Sequence, residues 1–402
     1  MYMLERHLAI RAKKISDTRK VLMVTGPRQV GKTSMLKSIA EEGRNYVSLD
    51  DLSLRKLAQD DPKLFMMTYK APVIIDEVQY APNLLSYIKL EVDSTDLKGS
   101  YWLTGSQKFH LMKGVSESLA GRVGILEMTS LTYAEKYDLE SKVFDPRSLV
   151  NRFNIEPVRL FEEIFKGGMP EYCINDIDRR DFFDNYIKTY IERDVRDLTQ
   201  VGNIVSFEKF LVSMASRNGE LLNYSSICQD AGIDEKTARL WVSILVNSDI
   251  IYLLQPYMSS ELKRVTKTPK IVFMDTGLCA YLCKWDNAVN LMNSSVSGHY
   301  LETFIISEII KNKRNSLDSF DYDIYFYRDR DGKEIDLLIH FNNTLYPFEI
   351  KKTANPNKEM IKNFDILNKT NKEIGNGGVI CLYPDIIPLT EKDKVILISC
   401  IL

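Results

Sequence analysis

A chain of 402 residues exceeds one ordinary domain, and its 45% apolar and 27% charged residues are the mix of a globular protein with proper cores. A formal net charge of −2 excludes a global pull onto nucleic acid or an anionic membrane, so any basic surface must be local. Cys279 and Cys283 are the only near pair among six cysteines and fit no zinc or redox spacing, and no apolar run approaches the roughly 20 residues of a bilayer span. We therefore expect reduced core cysteines, no membrane association and a cytoplasmic location, the more so because residues 1–14 lack a signal-peptide core.

The first predicted strand is Val21-Leu22-Met23-Val24-Thr25. It runs into Gly26-Pro27-Arg28-Gln29-Val30-Gly31-Lys32-Thr33-Ser34, which reads G-x-x-x-x-G-K-T, and a helical pattern follows at Met35, Leu36, Ile39 and Ala40. Strand, glycine loop and helix in that order make a phosphate cradle. The glycines allow a tight turn and close approach, and the N–H groups of the loop and first helical turn point at an anion. Lys32 is placed to meet the β- and γ-phosphates of ATP, and Thr33 to ligate Mg²⁺.

A short strand is predicted over 46–50 and helical spacing over 51–70. Pro72-Val73-Ile74-Ile75-Asp76-Glu77 is then an apolar run ending in two acids, the signature of a buried parallel strand whose carboxylates face the crevice of the glycine loop. Asp76 is the candidate Mg²⁺ ligand and Glu77 the candidate base for the attacking water. Ser100-Tyr101-Trp102-Leu103-Thr104 is a further strand ending in Gly105-Ser106-Gln107. In the additional-strand class of P-loop ATPases such a strand lies between the other two, and its polar tip senses the γ-phosphate. Thr104 and Ser106 both suit that post. Arg122, just before the strand over 123–128, suits two roles equally: neutralising γ-phosphate charge in cis or across a subunit interface, or bracing the domain against an acid.

These motifs, with Ile75-Asp76-Glu77-Val78-Gln79, Leu103-Thr104-Gly105-Ser106 and Leu119-Ala120-Gly121-Arg122, resemble a group of prokaryotic AAA-type (AAA+ superfamily, archaeal-type) ATPases fused to a C-terminal region of uncharacterised function. The resemblance extends along the chain through Gly167-Gly168-Met169-Pro170-Glu171, Phe273-Met274-Asp275-Thr276-Gly277-Leu278, Glu334-Ile335-Asp336 and Phe348-Glu349-Ile350-Lys351. It implies an ATP-binding P-loop core, a winged helix and a nuclease-like tail, with no substrate attached.

Beyond a polar join over 135–148, apolar residues from Phe183 to Leu198 line one face of a long predicted helix over 180–198. Its charged face reads as solvated. Through the resemblance it is alternatively a lid, with Arg193 or Arg196 reaching a phosphate. From Phe207 the pattern is helix, helix, a Gly232-Ile233-Asp234 turn with Asp234 as cap, a third helix and a strand over 250–254, a helix-turn-helix order. Lys236, Thr237 and Arg239 on the third helix, with Lys263, Arg264, Lys267 and Lys270 downstream, form a small basic patch suited to DNA phosphates.

The tail opens on a helix from Gly298, with Leu301, Phe304, Ile305 and Ile309 to the core. A strand over 323–328 and a turn at Asp331-Gly332 follow. Along 334–341, Ile335, Leu337 and Ile339 are predicted to share one face and Glu334, Asp336 and Leu338 the other. The next strand ends in Glu349 and Lys351 on a common face, and strands over 379–383 and 395–402 complete a small sheet. Asp followed by Glu-x-Lys resembles the PD-(D/E)xK nuclease superfamily, which implies Asp336 and Glu349 on Mg²⁺, Lys351 beside the attacking water, and Glu302 as a fourth acid. Ile335 stands where the superfamily has Pro, and the same charges could form a salt-bridge cluster in a scaffold.

The expected fold is α/β: a P-loop NTPase parallel sheet with helices on both faces, then a helical and winged-helix region and an α+β nuclease-like domain. The units are placed at 1–135, 136–200, 201–285 and 286–402. Three functions follow: an ATP-driven switch engaging a partner protein, a second copy of itself or DNA; an ATP-gated DNA nuclease; or a scaffold with a vestigial ATPase.

Overall fold

The computed structural model describes residues 4–106, 118–191, 204–259, 262, 267–317 and 321–402. The first unit runs α1 (Leu8–Thr18), β1 (Val21–Thr25), α2 (Lys32–Ile39), β2 (Asn45–Ser48), α3 (Leu52–Asp60), α4 (Pro62–Thr68), β3 (Val73–Asp76), α5 (Leu84–Asp93), β4 (Tyr101–Gly105) and β5 (Val123–Glu127). Its five strands are all parallel, in the order β2-β3-β4-β1-β5, so β4 lies between the strand of the glycine loop and the strand of the acid pair. Every residue of β1, β3 and β4 is buried, because helices cover both faces of the sheet. On one face Phe65, Leu84 and Ile88 pack on Val21, Met23 and Ile75; on the other Leu8, Ala12, Met35 and Leu36 pack on Leu22 and Val24. The helical pattern over 51–70 divides at Asp61-Pro62, where Asp61 caps α4 and proline occupies its first turn.

The middle comprises α6 (Tyr133–Lys136), α7 (Pro157–Lys166), α8 (Pro170–Ile174), α9 (Arg179–Tyr186), α10 (Ile204–Ser216), α11 (Tyr224–Ala231), α12 (Glu235–Asn247), β6 (Ile251–Leu254), β7 (Lys270–Phe273), α13 (Thr276–Leu282) and α14 (Ala288–Asn293). The helix expected over 180–198 is seen as α9 passing into a π turn at Ile187–Ile191; Arg193 and Arg196, the lid candidates, lie outside the described residues. Helices α10 to α12 follow the expected order, Asp234 caps α12 through the Thr237 N–H, and β6 pairs antiparallel with β7. Gly167 takes a positive φ of 76°, and a Cβ there would stand 2.3 Å from Asp275 Oδ1. Asp275 in turn accepts the N–H groups of Gly168 and Leu278, so two of the sequence's glycine motifs meet as one structural joint.

The tail is built on α15 (Ser297–Asn315), followed by β8 (Asp323–Arg328), β9 (Glu334–Phe341), β10 (Thr344–Lys351), β11 (Glu373–Ile374), β12 (Gly378–Cys381), β13 (Ile387–Pro388) and β14 (Lys394–Leu397). The mixed sheet has the order β13-β14-β12-β10-β9-β8, with β11 on β10. Rather than one core-facing stripe, α15 is buried around its circumference, including Glu302, Glu308, Lys311 and Asn312. The predicted alternation along β9 is corrected by a register shift against β8 between Tyr325 and Tyr327. Ile335 joins Leu338 in one core while Leu337 and Ile339 join the other. Among the described residues no helix is long and apolar enough to cross a membrane, and all six cysteines are free.

Candidate nucleotide site and tail acid cluster

The glycine loop stands at the C-terminal end of β1. Gly26 has a φ of 142°, and a Cβ on it would meet the Met128 carbonyl oxygen at 2.0 Å, so only glycine lets the loop pass this close to the chain after β5. Gly31 is left-handed at the start of α2. Lys32 is buried, and its ammonium donates to the Gly26 and Pro27 carbonyls at 3.0 and 2.7 Å. A lysine folded over a glycine loop at the start of a helix fits a phosphate group.

Asp76 is the hub beside that loop. Its Oδ1 accepts the Thr33 hydroxyl at 2.8 Å and the Thr104 hydroxyl, and its Oδ2 accepts the Tyr46 hydroxyl at 3.0 Å. Burial, then the adjacent Asp76 charge, pushes the Tyr46 phenol up to about 12, so it remains a donor. Thr33 and Asp76 thus present two oxygens at one point, the donor set a hard divalent cation takes. Glu77 follows in a left-handed conformation with φ 56°; its N–H donates to Thr104 Oγ1 at 3.2 Å, and its carboxylate accepts the Gln79 amide. The two sensor candidates have different surroundings. Thr104 is committed to Asp76 and Glu77, whereas the Ser106 hydroxyl is buried with no hydrogen-bond partner among the described residues. Ser106 directly follows Gly105, which is paired with Thr25 at the mouth of the glycine loop.

Arg122 stands elsewhere. It precedes β5 at the end of the sheet opposite the glycine loop, Val123 being paired with Val21 at the start of β1. Its guanidinium forms a bidentate pair with Asp93, Nη2 lying 3.0 Å from Oδ2, and Nη1 donates to Ala120 O. The strand between puts a γ-phosphate on this loop about 16 Å away. The cis catalytic expectation for Arg122 is therefore corrected to bracing.

Sequence reasoning missed Arg6. This buried arginine donates to the Val30 carbonyl inside the glycine loop, to Thr129 O at 2.8 Å and to Glu135 Oε1 at 3.0 Å. Glu135 also accepts the N–H groups of His7 and Thr132 and, at 3.4 Å, the Asn315 amide at the end of α15. Burial works to raise the Glu135 pKa, but the Arg6 guanidinium outweighs it and holds the group below the usual carboxylate range. Nothing in the local pattern of Arg6 marks it; only Thr132 to Glu135, with capping-box spacing, carries a signal.

The four tail residues come together. Lys351 Nζ bridges Asp336 Oδ2 at 2.8 Å and Glu349 Oε2 at 2.7 Å, and the Ile350 N–H donates to Asp336. Glu302, from α15, reaches the same place: oxygens of Glu302, Glu334 and Asp336 lie within 4.8 Å of one another. Burial, then Asp336, pushes Glu349 up to about 9. Burial likewise raises Glu302 to about 7, against the pull of Lys270. Asp336 is held below its usual range by Lys351 and Lys270, which overcome its burial. Two members went unpredicted in this role. Glu334 was legible as sharing a face with Asp336. Lys270 was expected in the basic patch of the middle unit; instead it is 3% exposed and binds Glu302 at 2.7 Å and Glu334 at 2.5 Å. Burial alone would lower its pKa, but those two acids raise it. Of the other patch members, Lys236 and Lys267 are exposed, Arg239 is exposed but paired with Glu235, and Lys263 and Arg264 lie outside the described residues.

Comparison with known proteins matches three segments of the chain. Residues 18–137 match the family model of an AAA domain, residues 158–289 that of a domain of unknown function (DUF8612), and residues 297–401 that of a domain of unknown function (DUF4143). The first of these segments is an AAA domain of the P-loop type. More particularly, that AAA domain is followed in the same chain by a segment matching DUF4143, and the AAA domain implies ATP binding. The uncharacterized protein Rv2008c of Mycobacterium tuberculosis is 26% identical over 355 residues, covering 87% of this chain and 74% of its own. The uncharacterized protein MJ1637 of Methanocaldococcus jannaschii is 25% identical over 298 residues, covering 64% and 61%. Among solved structures, the Walker-type ATPase paby2304 of Pyrococcus abyssi is similar over 70% of this chain and 96% of its own, at 15% identity and a TM-score of 0.44.

Proposed function

We propose that this protein binds Mg-ATP at the glycine loop and hydrolyses it slowly, as a switch that passes its nucleotide state to the middle and tail. The observation that carries the reading is the convergence of Thr33 and Thr104 on one oxygen of Asp76, beside Lys32, at the C-terminal ends of β1, β3 and β4. The residues from Gly26 to Ser34, Pro27 excepted for want of an N–H, wrap the phosphates with main-chain N–H groups, and Lys32 turns from the loop carbonyls to them. Thr33 and Asp76 would hold Mg²⁺, which supplies positive charge where the phosphates gain negative charge. Glu77 accepts a proton from the attacking water, steered by Gln79, and the uncommitted hydroxyl of Ser106 reads the γ-phosphate. Arg6 supports the switch: it ties Val30 to Glu135, which touches Asn315 of the tail helix.

Calorimetry with Mg-ATP tests the site. Lys32→Ala should abolish measurable binding; an affinity equal to that of the wild type refutes it.

The cluster of Glu302, Asp336, Glu349 and Lys351 supports a second reading, in which the tail cleaves DNA under control of the ATP state. Three helices followed by an antiparallel strand pair support a winged helix in the middle unit, with Lys236 and Lys267 the exposed cations available to a DNA backbone. DNA cleavage that requires Mg²⁺ or Mn²⁺ and is lost in Lys351→Ala is the expected result on this reading; cleavage that survives the change belongs to a contaminant.

A further inference from the structure

Lys270 begins a strand of the middle unit. It pairs with Leu254 on β6 and bridges to Leu221. Its side chain leaves that unit and ends among carboxylates of the tail, with Nζ 2.7 Å from Glu302 Oε1 and 2.5 Å from Glu334 Oε1. Those two acids and Asp336 present oxygens within 4.8 Å of one another, the spacing of ligands around a single cation. Glu349, 3% exposed, lies on the Asp336 side of the group, joined to it through Lys351, and its Oε1 has no hydrogen-bond partner among the described residues. A buried oxygen without a hydrogen-bond partner costs stability, a cost that a cation beside Asp336 would relieve. The group also opens on a cleft of about 650 Å³ whose wall includes Arg217, His299 and Arg328, so an ion from solvent has a route in.

We infer that, where the second reading puts a hard divalent cation among Glu302, Glu334 and Asp336, the Lys270 ammonium holds its place; the inference rests on that reading for the cation and adds the occupant. The two occupants exclude each other. A small divalent ion sits about 2.1 Å from carboxylate oxygens, and an ammonium 2.7 and 2.5 Å from oxygens of Glu302 and Glu334, two of the three acids, places like charge in the same space. The charge between Glu302 and Glu334 is thus supplied by the neighbouring unit until β7 or its lysine withdraws, while Arg328 and Lys351 of the tail hold the outer oxygens of Glu334 and Asp336. Metal loading becomes a report on how the middle unit is docked, and the cleft gives the displaced side chain room to go. The inference concerns the cluster of the second reading above, but it is read by metal binding rather than by cleavage. A tail that binds metal and cuts nothing would defeat the cleavage of that reading and leave its cation, and this inference, standing.

The test is Mn²⁺ titration of the full-length protein without nucleotide, followed by electron paramagnetic resonance. Wild type should bind weakly at this site, Lys270→Met at least about tenfold more tightly, and the gain should vanish in Lys270→Met combined with Asp336→Asn. Lys270→Gln serves as a second variant, since it keeps a donor toward Glu302 and removes the charge. A measurement on unaltered protein stands beside these: acetylation of lysines, read by mass spectrometry. Lys270 should be protected without metal and become labelled at saturating Mn²⁺. The inference is overturned if wild type already binds Mn²⁺ as tightly as the folded variants at a site sensitive to Asp336→Asn. It is equally overturned if neither variant gains affinity and Lys270 stays unlabelled at saturating metal.

Discussion

Glu308, in the middle of the tail helix, accepts the backbone N–H of Tyr133 at 2.8 Å, at the start of the short helix that closes the AAA unit. The same carboxylate is 3.2 Å from Lys311, whose ammonium reaches Leu131 O. Both charges are almost wholly buried. Removing one partner of such a pair strands the other, at a cost of about 3–5 kcal/mol. We expect Glu308→Ala to lower the urea midpoint sharply and Glu308→Gln, which can still accept from Tyr133, to lower it less. Equal midpoints for wild type and Glu308→Ala would mean that the joint between the units contributes nothing to stability.

The Arg6–Glu135 pair makes a pH-dependent prediction. The folded pKa of Glu135 is depressed, so the pair's contribution is fully present above the unfolded carboxylate value near 4.5 and is lost as pH falls through the folded value. In Arg6→Ala the buried carboxylate keeps its N–H donors but loses its counter-charge. The stability gap between wild type and Arg6→Ala should therefore be widest at neutral pH, about 3 kcal/mol or more, and narrow as the solution is made acidic below the unfolded value. Denaturant unfolding across that range checks the sign. ATP affinity should fall in the same variant, because Val30 loses the guanidinium that fixes the loop.

What could be read in advance follows from the range of the forces involved. The glycine loop, the acid pair and β4 announce themselves within a few residues, because backbone geometry and buried parallel strands are local constraints; their convergence on Asp76 needed only the strand order. Helices α10 to α12 were legible through their apolar spacing and, for α12, the Asp234 cap. Arg6 and Lys270 were not. Each is an ordinary basic residue in sequence, and each acquires its role from acids far along the chain. The face of Ile335 was misread because a bulge is set by how β9 meets β8, which alternation within one strand does not record. Arg122 was weighed for chemistry on its neighbours in sequence, whereas parallel strands place its end of β5 away from the loop.

Glu77 separates a working ATPase from a vestigial one. Its left-handed backbone and the Gln79 contact hold the carboxylate at the end of β3, next to Asp76 in the chain. On the proposed mechanism Glu77→Gln binds Mg-ATP as well as wild type while single-turnover hydrolysis slows by about 10²–10⁴-fold. Hydrolysis equally slow in both proteins would favour the scaffold function.

Arg122 offers a test of assembly. Within one chain it is spent on Asp93 at the far end of the sheet, so Arg122→Ala should leave the hydrolysis rate of dilute protein unchanged. The pair is partly exposed, and such pairs contribute little to stability, so the unfolding midpoint should barely move. An arginine donated to a neighbouring subunit would behave differently. The wild-type rate per chain would rise with protein concentration, and Arg122→Ala would flatten that rise without altering the rate at high dilution. Turnover measured over a wide concentration range for both proteins distinguishes the outcomes: parallel flat lines assign Arg122 to bracing alone, and a slope present only in wild type assigns it to a site shared between copies.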